Sequence, residues 1–77
     1  MYIAAPADPI YHLARDDRMT VCLLMLNDLN KRKRYGDFRL VDEIPSNKVC
    51  VLCSDCAARS GDTRSFDERV TYPIAKN

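Results

Sequence analysis

The residues best equipped for chemistry in this chain are its thiols. The stretch "NKVCVLCSDCAARSG", residues 47 to 61, sets Cys50, Cys53 and Cys56 with two residues between neighbours, and Cys22 is the only other cysteine. His12 is the only histidine. Thiols at this spacing can hold a metal, form disulfides, run redox chemistry or fill a core as small hydrophobes. A two-residue spacer lets both sulfurs of a pair reach one tetrahedral ion, and helix amides nearby favour the thiolate that a metal requires.

Several elements must position these groups. "ADPIYHLARDD" reads as a first helix, with Asp8 as its cap, Pro9 in the first turn and Ile10, Leu13 and Ala14 on one face. Residues 18 to 34, "RMTVCLLMLNDLNKRKR", read as a second helix closed by Gly36, with a buried strand over "VCLLML" as the competing assignment. Residues 37 to 52 read as a hairpin that turns at "PSNK". A short helix follows over "CSDCAAR", capped by Ser54 or Asp55 and ended by Ser60 and Gly61, and Ser65 with Glu68 matches a capping box ahead of Pro73. The expected fold is a small α+β domain over residues 1–77: two N-terminal helices packed on a two-stranded β-hairpin, then a short helix.

A hairpin whose second arm delivers C-x2-C to a helix start resembles the second half of a treble-clef zinc module over residues 37 to 59. The resemblance implies Zn2+ as cofactor, with Cys53 and Cys56 as the helix-borne ligand pair. It departs in the first half, where Met25 of "CLLM" stands in place of a second cysteine. The other ligands must come from His12, Cys22 and Cys50. If "KVCVL" is extended, Cys50 and Cys53 face opposite ways and the set is His12, Cys22, Cys53 and Cys56. If a loop begins earlier, Cys50 takes the place of His12.

No enzyme is expected. C-x-x-C occurs twice in overlap, but a thioredoxin-like site needs a βαβ framework that the residues after Cys53 are too few to build. A Cys–His nucleophile would need a third orienting group and a pocket, and neither has a signature here. No catalytic residue and no small-molecule substrate are assigned.

"NKRKRY" puts Lys31, Arg32, Lys33 and Arg34 beside Tyr35. These cations suit phosphates and the ring suits an exposed base, although a solvated helix end has the same composition. Net charge is +1, from 12 basic and 11 acidic side chains, so any electrostatic recognition must be local. No apolar run approaches the ~20 residues that cross a bilayer, and "MYIAAPADP" has no basic residue ahead of an apolar stretch, so a cytoplasmic chain without membrane contact is expected. At 77 residues the core is marginal, because a chain of this size buries only about 60% of its unfolded surface, and a staple such as zinc is expected. The leading functional expectation is a non-enzymatic binding module that contacts nucleic acid, or a protein of a nucleic-acid-handling complex, through residues 31 to 35. The alternative is a stand-alone protein-binding inhibitor or adaptor of the mobile-element or phage accessory type.

Overall fold

The structure is a computed structural model that describes residues 1–31, 37–44 and 46–73. Its frame is a five-stranded sheet in the order β3-β1-β2-β4-β5, built from β1 (Tyr2–Ala4), β2 (Ile10–Leu13), β3 (Arg39–Val41), β4 (Cys50–Leu52) and β5 (Val70–Thr71). Three short helices join it among the described residues: α1 (Leu26–Lys31), α2 (Ser54–Arg59) and α3 (Phe66–Arg69). The fold is small α+β, as composition and patterning suggest.

The expected first helix is a strand. The Asp8 carboxylate accepts from the Ile10 amide at 2.9 Å, the bond a helix cap would make, yet the chain runs on extended. Ile10 and Tyr11 favour strand geometry, and β2 has a neighbour on each side: β1 antiparallel, with Ile3 opposite His12, and β4 parallel, with Tyr11 opposite Leu52. Two ladders outweigh a weak local preference for helix. Tyr11 and His12 are both buried although neighbours in a strand point to opposite faces, so the sheet is covered on both sides. One face packs Ala4, Tyr11, Cys50 and Leu52 against Cys56 and Ala57 of α2. On the other, Ile3, Ala5 and Phe38 pack with Leu26 and Leu29 of α1.

The second expected helix is reduced to α1. Ahead of it the chain folds back through paired residues Ala14 with Thr20 and Met19 with Met25. Leu23 sits at φ 68, a left-handed conformation that no helix interior contains. Thr20, fully buried, accepts the Leu24 amide on its hydroxyl at 2.9 Å and so diverts the turn from helix. The proposed final turns and the Gly36 stop lie outside the described residues.

The expected hairpin is also not formed, although both of its arms are strands. β3 pairs with β1 at one side of the sheet, and β4 pairs with β2, so β1 and β2 stand between them. The connection passes Lys48, whose ammonium donates to the carbonyls of Ala5, Pro6 and Asp8, each at 2.8 Å. That contact fastens it to the β1–β2 turn. No described helix is long and apolar enough to cross a membrane.

The C-terminal signals behave locally as their chemistry dictates. Gly61 takes φ 78 just past α2, and Ser65 and Glu68 exchange both bonds of a capping box at the start of α3. One difference is that Cys53, rather than Ser54 or Asp55, occupies the cap position of α2, without a side-chain cap bond.

Candidate metal centre

Because β2 and β4 run parallel, their C-terminal ends lie together. The Cys53 amide donates to the Tyr11 carbonyl at 2.8 Å, which carries the ladder one residue beyond β4 and sets Cys53 beside His12. After β2 the chain turns back, and the Val21 amide donates to the Leu13 carbonyl at 2.8 Å. Cys22 is thereby brought to the same place. The first turn of α2 adds Cys56 from below.

The result is one cluster: the ligand atoms of His12, Cys22, Cys53 and Cys56 all lie within 4.8 Å of one another. Cys22 is its hub, with His12 Nδ1 at 3.6 Å and Cys53 Sγ at 3.9 Å from its sulfur. A tetrahedron with metal–sulfur bonds of about 2.3 Å and metal–nitrogen bonds of about 2.0 Å has edges of roughly 3.8 Å between sulfurs and roughly 3.6 Å between sulfur and nitrogen. These two separations match those edges.

The electrostatics suit an ion that arrives from outside. Burial lowers the pKa of His12, which keeps its imidazole neutral and able to donate a lone pair. Burial also pushes the Cys56 thiol up to about 12; the neighbouring Cys22 and Cys53 side chains add to the rise, and backbone hydrogen bonds from Leu13 and Cys22 oppose it. Without an ion, burial thus holds both the His12 imidazole and the Cys56 thiol in their uncharged forms. A bound cation reverses this preference by stabilising thiolates directly, and its uptake releases protons.

Thr20 is a neighbour of the candidate centre that sequence reasoning missed. Its oxygen accepts the Leu24 amide and lies 3.0 Å from Cys22 Sγ; once Cys22 is a thiolate, the Thr20 hydroxyl is the donor of that pair. Bonds of this kind orient a ligand and steady its charge. The only signal for it in the sequence is a hydroxyl two positions before a cysteine in "MTVC".

Cys50 lies apart from the group. It is 1% exposed in the core of the sheet, on the face of Tyr11 and Leu52, and burial raises its pKa. The strand geometry of β4 is what separates it from Cys53. The treble-clef likeness narrows to a strand that feeds C-x2-C into a helix, since the hairpin it presumes is absent. Lys31 ends α1 on the surface, 3.5 Å from Asp28, whereas Arg32, Lys33, Arg34 and Tyr35 lie outside the described residues. Comparison with known protein families, with curated proteins and with solved structures finds no match to this chain.

Proposed function

We propose that this protein is a non-enzymatic binding module whose fold is locked by a structural Zn2+ on His12, Cys22, Cys53 and Cys56. The observation that carries the reading is the meeting of ligand atoms from three separate chain segments within 4.8 Å. Three sulfurs and one imidazole suit zinc, and a closed set of four protein ligands leaves no position for a reactive water. The metal's role is then to clamp the β2 end, the loop before α1 and the start of α2 together. In a chain this small such a clamp substitutes for core.

The partner assigned is nucleic acid, or a protein complex that handles it, met by Lys31, Arg32, Lys33, Arg34 and Tyr35. What supports this is the run of cations beside an aromatic ring in a chain of almost no net charge. Metal analysis of protein purified without added metal tests the first half, with one zinc per chain expected. Cobalt(II) substitution should then give the visible bands of a tetrahedral sulfur-rich site. Binding to a single-stranded oligonucleotide tests the second half: affinity should fall with salt with a log–log slope of roughly −2, as for two or three phosphate contacts, and vanish when Lys31 to Arg34 are neutralised.

A second reading, the protein-binding inhibitor or adaptor, is favoured by one feature. Leu23, Leu24 and Met25 stand exposed on the loop beside the cluster, at 50%, 41% and 36%, and such a group commonly marks a protein contact. Recovery of one stoichiometric protein partner from nuclease-treated extract, lost when Leu23 and Leu24 become serine, would establish it.

A further inference from the structure

The thiols of the centre are not equivalent in access. Cys22 and Cys53 are half-buried, and their sulfurs stand 3.9 Å apart. Cys56 is 0% exposed beneath them, and Cys50 is 1% exposed within the sheet. Cys53 is fixed at the junction of β4 with α2 by its amide bond to Tyr11, whereas Cys22 belongs to the looped segment between β2 and α1 and is the one placed to move. A disulfide of about 2.05 Å needs the two sulfurs to approach by roughly 2 Å, a movement within reach of a loop residue.

We propose that Cys22 and Cys53 form a hydroperoxide-responsive pair whose oxidation dismantles the metal centre. The inference rests on the zinc-clamp reading above and adds to it a signal that undoes the clamp. Metal-held sulfurs have already lost their protons, so they are nucleophiles. In the first step the Cys22 thiolate attacks one oxygen of the peroxide; the O–O bond breaks, and hydroxide leaves with the electron pair. Cys22 is now a sulfenic acid. The Cys53 thiolate then attacks that sulfur, the S–O bond breaks, and a second hydroxide leaves. Two protons from solvent convert the hydroxides to water. In balance, two thiolates lose two electrons and one hydrogen peroxide becomes two waters. His12 and Cys56 remain, and two ligands do not retain the ion. A thiol reductant reverses the change by exchange at the new disulfide.

Alternative pairings separate cleanly in a test. The full chain is loaded with zinc without oxygen, titrated with hydrogen peroxide, and followed with a zinc-sensitive dye. It is then unfolded in denaturant that contains the alkylating agent, and digested with trypsin together with a protease that cuts before aspartate. Cleavage ahead of Asp55 separates Cys53 from Cys56, and fragment ions distinguish Cys53 from Cys50. The expected result is one zinc released per disulfide formed, a cross-link between Cys22 and Cys53, alkylation at Cys50 and Cys56, and recovery of zinc after reductant. A Cys53–Cys56 link, a link to Cys50, or zinc that stays bound through complete oxidation overturns the proposal while the zinc clamp stands. A chain that takes up no zinc overturns the clamp instead, and the same map made on the metal-free chain still decides the pairing. Cys50→Ala, outside the cluster, should leave both release and cross-link unchanged.

Discussion

The Cys53 amide reaches the Tyr11 carbonyl at 2.8 Å, and this single parallel-ladder bond puts the only histidine of the chain next to its C-x2-C pair. Parallel strands end at the same side of a sheet, so a residue of the N-terminal strand β2 and one that follows β4 become neighbours. Had β4 paired with β3 instead, His12 would have had no reason to meet Cys53.

From that arrangement comes a test of which four groups matter. His12→Ala removes a cluster member and should reduce zinc affinity by far more than tenfold. Cys50→Ala removes a core sulfur that is not a member of the cluster, so it should keep one zinc per chain and lose about 1–2 kcal/mol of stability through the smaller core side chain. Competition with a metal-binding dye and urea unfolding measure the two effects. The reverse pattern, with zinc lost on replacing Cys50 and kept on replacing His12, would reassign the site to four sulfurs.

Thr20 offers a second test, because its hydroxyl both accepts the Leu24 amide and faces Cys22 Sγ. Thr20→Val keeps the shape but leaves that amide without its partner, at a cost of about 1–3 kcal/mol. It should also weaken zinc binding roughly tenfold, since a ligand has lost its supporting donor. Thr20→Ser restores the hydroxyl, so it should recover the zinc affinity while losing about 0.8 kcal/mol for the missing methyl. Equal zinc affinity in all three proteins would deny Thr20 any part in the centre.

These cases show where sequence reasoning reaches and where it stops. The Ser65–Glu68 box, the Gly61 stop and the passage of "VLCSDC" from strand to helix were legible because each depends on residues a few positions apart. The element at Ile10–Leu13 was not, since Asp8 followed by Pro9 opens a helix and a turn equally well, and only pairing with β1 and β4 decides. Residues 18 to 25 carry good helix formers, yet the Thr20 and Leu23 turn overrides them. For the cluster, alternation along "KVCVL" separated Cys50 from Cys53 conditionally on a strand, whereas the route by which His12 arrives depends on a parallel ladder that no local pattern encodes.

Lys48 should be a keystone of the connection that replaces the expected hairpin. Its three ammonium hydrogens meet three carbonyls, of Ala5, Pro6 and Asp8, so its donors are fully used. Lys48→Met keeps the aliphatic stem but removes the shared donor; Ala5 O keeps the Asp8 amide and Pro6 O is open to water, so a loss of about 1–2 kcal/mol is expected by urea unfolding. Lys48→Arg should rescue little, because a planar guanidinium cannot reproduce three convergent bonds from one nitrogen. Full stability in the arginine variant would mean that charge alone, not this geometry, holds the connection. Zinc stoichiometry should stay at its original value in both variants.

Acid provides the last test, away from the metal. Arg64 donates side-chain bonds to both Asp62 oxygens, the shortest at 2.7 Å, and its amide adds another at 3.0 Å. These bonds favour the carboxylate and bring the Asp62 pKa down to about 2. Glu68 is lowered as well, chiefly by the Ser65 amide within the capping box. A carboxyl whose folded pKa lies below its unfolded value near 3.9 binds fewer protons when folded. Its stabilising contribution is therefore complete above about pH 4 and is lost as pH falls through 2. Both groups are on the surface, so the energy involved is small and the titration itself is the better readout. Carboxyl-carbon NMR should give an Asp62 midpoint near 2, moving up toward the ordinary aspartate range in Arg64→Gln. Were Asp62 to titrate near 4 with Arg64 intact, the turn that links α2 to α3 would not be held by this pair.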